Sequence, residues 1–161
     1  MIIRDATSSD FGAILRLNAE SEHFLSPLAE QKLQRLHAGA AYHRVACVDG
    51  AVAAFLLAFR EGAAYDSVNY LWFAARYPQF LYIDRVVVDV AFQSRRLGTL
   101  LYEDLFAFAR STGAPRVTCE FDIQPPNPVS ARFHGKFGFT EVGRQDVAYA
   151  AKAVSLQEAV L

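Results

Sequence analysis

Residues 81–110 read LYIDRVVVDVAFQSRRLGTLLYEDLFAFAR, and this stretch decides the fold. It opens as an apolar strand, passes through Gln93-Ser94-Arg95-Arg96-Leu97-Gly98-Thr99, and continues as an amphipathic helix. A strand ending in a short basic loop at a helix N-terminus is a recipe for an anion cradle. Backbone N–H groups point out of such a loop, and the helix dipole favours negative charge there. Arg95 and Arg96 add two positive charges. A solvated basic turn has the same local pattern, so the loop alone does not define a function.

A second motif begins about thirty residues later: Asn127-Pro128-Val129-Ser130-Ala131-Arg132-Phe133-His134-Gly135-Lys136-Phe137-Gly138-Phe139. Asn127 suits a helix N-cap, Pro128 the first helical position, and Gly138 the position past the end. Helical spacing places Asn127, Ser130 and His134 on one face and Val129, Phe133 and Phe137 on an adjacent apolar stripe.

Together the two motifs resemble the GCN5-related N-acetyltransferase (GNAT) superfamily. In that family a Q/R-x-x-G-x-G/A loop holds the pyrophosphate of acetyl-coenzyme A, and a later N…S…Y helix lies beside the pantetheine arm. Arg96 stands where the first glycine is usual, Thr99 replaces the final Gly or Ala, and His134 replaces the usual Tyr. A residue with a Cβ at position 96 needs φ below zero or accepts strain.

The resemblance implies a mixed α/β fold: a mostly antiparallel sheet, helices on both faces, and a parallel strand pair that splays to admit the cofactor. It implies one domain over residues 1–161. It also implies acetyl transfer from acetyl-CoA to a small-molecule or peptide amine by direct attack, with no metal. The cofactor would lie along Val86, Val87 and Val88, on Gln93 through Thr99, and beside Asn127, Ser130 and Phe133. The alternative function is a regulatory module that binds acetyl-CoA without turnover. A dinucleotide binder is disfavoured, because no G-x-G-x-x-G follows the first strand.

The chemistry needs a group to take the amine's proton and a donor for the departing thiolate. His134 occupies the family's acid position, and histidine donates near neutral pH. Its bland reading is a helix histidine bonded to a carbonyl. For the base, Asp122 ranks first, Glu120 second and Asp84 third. Glu120 and Asp122 share one face of their strand. Each carboxylate has the alternative of pairing with a nearby arginine, Arg85 or Arg116.

Residues 61–80, EGAAYDSVNYLWFAARYPQF, join two strands at greater length than a turn requires. Aromatic walls with a few polar groups describe a small-molecule pocket. Tyr65, Asp66, Asn69 and Trp72 are therefore expected to select the acceptor. Phe24, in the turn after the first helix, borders the acceptor site by the family resemblance. The alternative is that these aromatics cover a sheet edge or a contact within a homodimer.

Composition sets the outer bounds. The 161 residues are 53% apolar, with thirteen Phe and seven Tyr, which excludes global disorder. Sixteen basic residues nearly balance seventeen acidic ones, so nothing points to nucleic acid or an anionic membrane. No apolar run has the length of a membrane span, and Met1-Ile2-Ile3-Arg4 leads straight into a strand, so no signal peptide is expected. Cys47 and Cys119 lie in apolar strand-like runs and read as buried, reduced thiols of a cytoplasmic protein. His23, His37 and His43 read as surface or helix-end residues.

The remaining pattern predicts strands at 2–5, 42–48 and 51–59 around the Asp49-Gly50 turn, and at 80–88 and 116–123. It predicts a closing pair at 139–145 and 147–156. Helices are expected from Phe11 to about Glu22, over 28–37, over 97–111 and over 127–137. Residues 61–79 read as irregular or partly helical. The Val86-Val87-Val88 run reads as buried on both faces.

Overall fold

The computed structural model describes every residue except His23 and Phe24, and every side chain but those and Tyr149. Seven strands are hydrogen-bonded in the order β1-β2-β3-β4-β5-β7-β6. They are β1 Ile2–Asp5, β2 Tyr42–Val48, β3 Ala51–Arg60, β4 Leu81–Val88, β5 Arg116–Gln124, β6 Thr140–Val147 and β7 Lys152–Val160. The helices are α1 Phe11–Glu20, α2 Glu30–Gly39, α3 Val68–Ala74, α4 Leu97–Ser111 and α5 Pro128–Lys136. The parallel ladder joins β4 to β5 at Leu81↔Val117 and Tyr82↔Thr118. The chain divides into two compact units, Met1–Phe59 with Ile83–Phe108, and Arg60–Tyr82 with Ala109–Leu161.

The first unit is built on antiparallel β1, β2 and β3. Asp49 and Gly50 both take positive φ, as the hairpin turn requires. Ile14, Leu17, Leu33, Val45, Phe55, Leu57, Leu101 and Leu105 are fully buried. At the start of α1, Asp10 accepts from the Thr7 N–H at 2.8 Å and takes a bidentate contact from Arg4 at 2.8 and 2.9 Å. Arg4 holds the Asp10 carboxyl below its usual range. Asp104 on α4 accepts from Tyr42 and Arg44, each at 2.7 Å, which ties that helix to β2.

His43 is buried, not a surface residue, and its Nδ1 lies 2.8 Å from Nδ1 of His37. One nitrogen must donate and the other accept. Burial first, then the neighbouring His37, lowers the His43 pKa to about 4, against an opposing pull from Asp10. The folded state therefore resists protonation that the unfolded chain accepts from 6.5 downward. This contribution is fully present above pH 6.5 and is lost as pH falls toward 4. It amounts to about 3 kcal/mol. Thermal melts across that range should show the wild-type midpoint falling more steeply than that of His43→Phe; parallel curves would contradict the assignment.

The second unit pairs β5 with β7 and β7 with β6, both antiparallel. Its aromatic centre holds Tyr70, Phe73, Phe80 and Tyr82, with ring centroids 5.6 to 6.4 Å apart. The Trp72 indole on α3 packs closely against Gly143 of β6. A Cβ on Gly143 would sit 2.5 Å from the indole Cζ2. The strand shifts register between Glu141 and Gly143, so the bulge and the missing side chain together admit the ring. Gly143→Ala should destabilise by about 1–3 kcal/mol. Trp72→Ala in the same chain should cancel most of that added cost, which a double-mutant cycle by urea unfolding would measure.

Two expectations about the strands are corrected. The closing hairpin turns at residues 148–151, with Ala151 at φ 50, and β7 runs to Val160. The sequence offers no Gly or Asn there, so the turn carries no local signal. In β4 the continuously buried run is Leu81–Ile83, whereas Val86 and Val88 alternate as half-buried positions around buried Val87. The segment at 61–79, expected to be irregular or partly helical, does contain a helix, the seven-residue α3. Among the described residues no helix is long and apolar enough to cross a membrane. Cys47 and Cys119 are buried and free, and burial pushes the Cys119 thiol well up.

Candidate active site

In the first unit, β4 ends at Val88, and Asp89 shapes the turn beyond it. The Asp89 N–H donates to Ala53 O at 2.8 Å, and its carboxylate accepts from Ala91 N at 2.9 Å across a 3-10 turn. Gln93 is extended. Ser94 and Arg96 then take φ of 73° and 61°, both in the left-handed region that favours glycine. Each such residue costs about 1–2 kcal/mol. Left-handed residues alternating with ordinary ones turn successive N–H groups toward one point, the nest geometry that binds anions. The first helical bond of α4 runs from Leu100 N to Arg96 O at 3.0 Å. Helical geometry thus leaves the N–H groups of Leu97, Gly98 and Thr99 without an intrahelical acceptor.

Leu97 is buried and anchors the helix start, while Gln93 through Arg96 are exposed. The Arg95 guanidinium lies 5.2 Å from the Phe92 ring centroid. The position where the sequence pattern expects glycine is therefore left-handed here, and Arg96 adopts that conformation with its strain.

Asp84 also lies in this unit, with a side chain only 5% exposed. It pairs with Arg85 at 2.6 Å, the alternative that its strand neighbour suggested. Arg85 also donates to Asn18 Oδ1 at 3.0 Å, Ser26 Oγ at 3.2 Å and Ser26 O at 3.3 Å. Phe24 lies outside the described residues.

The second unit brings together Glu120, Asn69 and two residues that sequence reasoning missed, Tyr82 and Gln145. Glu120 accepts from the Tyr82 hydroxyl at 2.9 and 2.8 Å and from Asn69 Nδ2 at 3.1 Å. Gln145 Nε2 donates to Asn69 Oδ1 at 3.0 Å. A buried tyrosine hydroxyl needs a partner, and this was the signal for Tyr82 in its apolar strand. Asp122, two residues on, faces Lys152 Nζ at 3.2 Å with its side chain 11% exposed. Of the acceptor candidates, Asn69 and Trp72 are thus engaged with Glu120 and β6. Tyr65 lies 5.6 Å from the Tyr70 ring, and Asp66 is exposed.

On α5, Asn127 caps the helix by accepting from Ser130 N at 3.2 Å. His134 is buried among the rings of Phe121, Phe133 and Phe139. Its Nδ1 lies 2.8 Å from Ser130 O and 3.2 Å from Ser130 Oγ. A carbonyl oxygen only accepts, so Nδ1 carries the proton. Burial lowers the His134 pKa, partly offset by that hydrogen bond. At neutral pH the ring is uncharged.

The acetyltransferase (GNAT) family profile matches residues 6–139, spanning parts of both units. The chain belongs to this acetyltransferase family. No curated protein sequence matches it. Solved structures share the fold at low identity. Ard1 from Thermoplasma volcanium has a TM-score of 0.79 at 16% identity, covering 99% of this chain and 97% of its own. Naa20 from Chaetomium thermophilum, solved with a bisubstrate analogue, gives 0.78 at 17%, covering 100% and 87%. The ribosomal-protein-S18-alanine N-acetyltransferase from Escherichia coli gives 0.74 at 14%, covering 99% and 92%.

Proposed function

We propose that this protein, acting as a single catalytic domain, transfers an acetyl group from acetyl-CoA to a primary amine, with the pyrophosphate held on residues 94–99. The carrying observation is the pair of left-handed, non-glycine residues, Ser94 and Arg96, at the N-terminus of α4. Backbone strain of this kind persists where a ligand repays it. Gln93, Leu97, Gly98 and Thr99 complete the cradle. Val86, Val87 and Val88 lead into it, and Asn127, Ser130 and Phe133 serve the pantetheine arm. The acceptor class drawn from the structural neighbours is an amine of a protein or peptide, and a small amine fits the same chemistry. Free buried thiols suit the cytoplasm.

In the step itself the neutral amine attacks the thioester carbonyl carbon. The C–N bond forms, the C–S bond breaks, and the amine's proton leaves to a carboxylate. We assign that carboxylate to Asp122, because Glu120 is already saturated by Tyr82 and Asn69 and Asp84 by Arg85. Tyr65 and Asp66 remain the insertion's candidates for acceptor contact; Asn69 and Trp72 shape it from behind.

The thiolate's proton is assigned to His134. Because burial lowers its pKa, the imidazolium is scarce at neutral pH and strongly acidic when formed. An acid with this bias contributes at the lower end of the usual range, about 10²-fold, and mostly at or below about pH 6.5. His134→Ala should therefore lower kcat more at about pH 6 than at about pH 8, with acetyl-CoA affinity unchanged. A loss independent of pH would return His134 to a packing role.

Release of free thiol from acetyl-CoA with a panel of amines, beside calorimetric titration of CoA, tests the whole reading. Absence of CoA binding at millimolar concentration would refute it. Binding without thiol release would favour the regulatory-module alternative.

A further inference from the structure

Lys152 Nζ lies 3.2 Å from Asp122 Oδ2, on the carboxylate assigned above to take the proton of the reacting amine. Strand pairing puts it there. Asp122 is opposite Val154 on β7, and Lys152 is the first residue of that strand. A period of two sets Lys152 on the face that Asp122 and Val154 share. Oδ2 is buried and accepts no aligned hydrogen bond among the described residues, so a lone pair there is open to a proton.

An amine acetylated with the help of Asp122 has to bring its nitrogen within hydrogen-bond reach of that carboxylate. Lys152 already holds a primary amine there, on the protein itself. Its side chain is 19% exposed and lines an open hollow at the β6–β7 turn, so the amine is not sealed in the core. A tethered amine also needs no binding step, which raises its effective concentration at the base.

We propose that Lys152 is a self-modification site: the protein transfers an acetyl group from acetyl-CoA to its own Lys152. The proposal rests on the acetyl-transfer reading with Asp122 as proton acceptor. One proton of the Lys152 ammonium passes to Asp122 Oδ2, and the freed lone pair attacks the thioester carbonyl carbon. The C–N bond forms, and the C–S bond breaks with its electron pair going to sulfur. A second proton goes from the nitrogen to the departing thiolate, and the third stays on the amide. The product carries no positive charge, so Asp122 loses the cation that balances it. One acetyl group per chain is the limit.

The test incubates the protein with acetyl-CoA and no added amine. Thiol release is followed beside the mass of each lysine-containing peptide. The expected result is one equivalent of thiol and one acetyl group per chain, on Lys152, at a rate per molecule independent of protein concentration. The other lysines, Lys32 and Lys136, are internal controls. Lys136 is exposed and Lys32 half-buried, so unassisted acetylation by the thioester favours Lys136. Lys152 should react about 10²-fold faster than Lys136, the lower end of what a positioned base contributes. Lys152→Arg should remove the thiol equivalent, and Asp122→Asn should slow it by a similar factor. Where Asp122→Asn fails to fold, the wild-type ratio of Lys152 to Lys136 and the loss in Lys152→Arg decide. Acetylation of Lys136 at an equal or greater rate, a rate that rises with protein concentration, or modification unchanged by Asp122→Asn overturns the proposal. Thiol release with an external amine beside an unmodified Lys152 overturns it and leaves acetyl transfer standing. CoA binding with no thiol release under either condition would sink both.

Discussion

Asp122→Asn is expected to lower kcat by about 10²–10⁴-fold while acetyl-CoA affinity stays the same. The substitution keeps the shape of the side chain and removes its ability to take a proton. Asp122 lies on β5, 11% exposed, with Lys152 3.2 Å away. The wild-type rate should rise with pH as the amine deprotonates. Glu120→Gln makes the contrast. Glu120 accepts from Tyr82 and Asn69, so its loss should reduce melting temperature as well as rate. If Asp122→Asn keeps its kcat and Glu120→Gln loses it with stability intact, the proton-accepting role passes to Glu120.

Reversing both loop charges, Arg95→Glu with Arg96→Glu, should weaken acetyl-CoA binding by about 10²-fold or more. Each charge-assisted hydrogen bond lost costs about 1.5–3 kcal/mol, and the new carboxylates repel the pyrophosphate. Wild-type affinity should fall with added salt, and the variant's dependence should reverse in sign. Arg96→Gly separates charge from backbone. It frees a residue held at φ 61, so stability should be unchanged or rise by about 1 kcal/mol, while affinity falls through loss of the guanidinium. Titration calorimetry and thermal melts measure the two quantities on one sample. Undiminished CoA affinity in the double variant would show that the loop is an ordinary solvated turn.

The strand, loop and helix of residues 81–110 were legible because each signal in them is local. Apolar periodicity marks β4 and α4, and the basic residues between them mark the loop. Asn127, Pro128 and Gly138 bound α5 through requirements that are satisfied within one helical turn, and Asn127 does cap Ser130. Asp49-Gly50 fixed the first hairpin in the same way. The sequence also showed that position 96 would have to choose between a negative φ and strain. Only the tertiary structure decided for strain, because the direction of the chain into α4 is set by packing of Leu97 and the turn at Asp89.

Which residues meet across the chain was not readable from spacing. Glu120 finds Asn69 and Tyr82 from 51 and 38 residues away. Gly143 looks like an ordinary strand glycine until Trp72 is laid over it. The β6–β7 turn has no turn residues of its own, and it is placed by the ladder that pairs Val147 with Lys152. That register, with the pairing of Asp122 to Val154, sets Lys152 beside Asp122. Residue types thus determined which chemistry the chain could hold, since propensity, capping and charge act over a few residues. Which carboxylate is saturated and which keeps an open position was decided only by long-range strand pairing and burial.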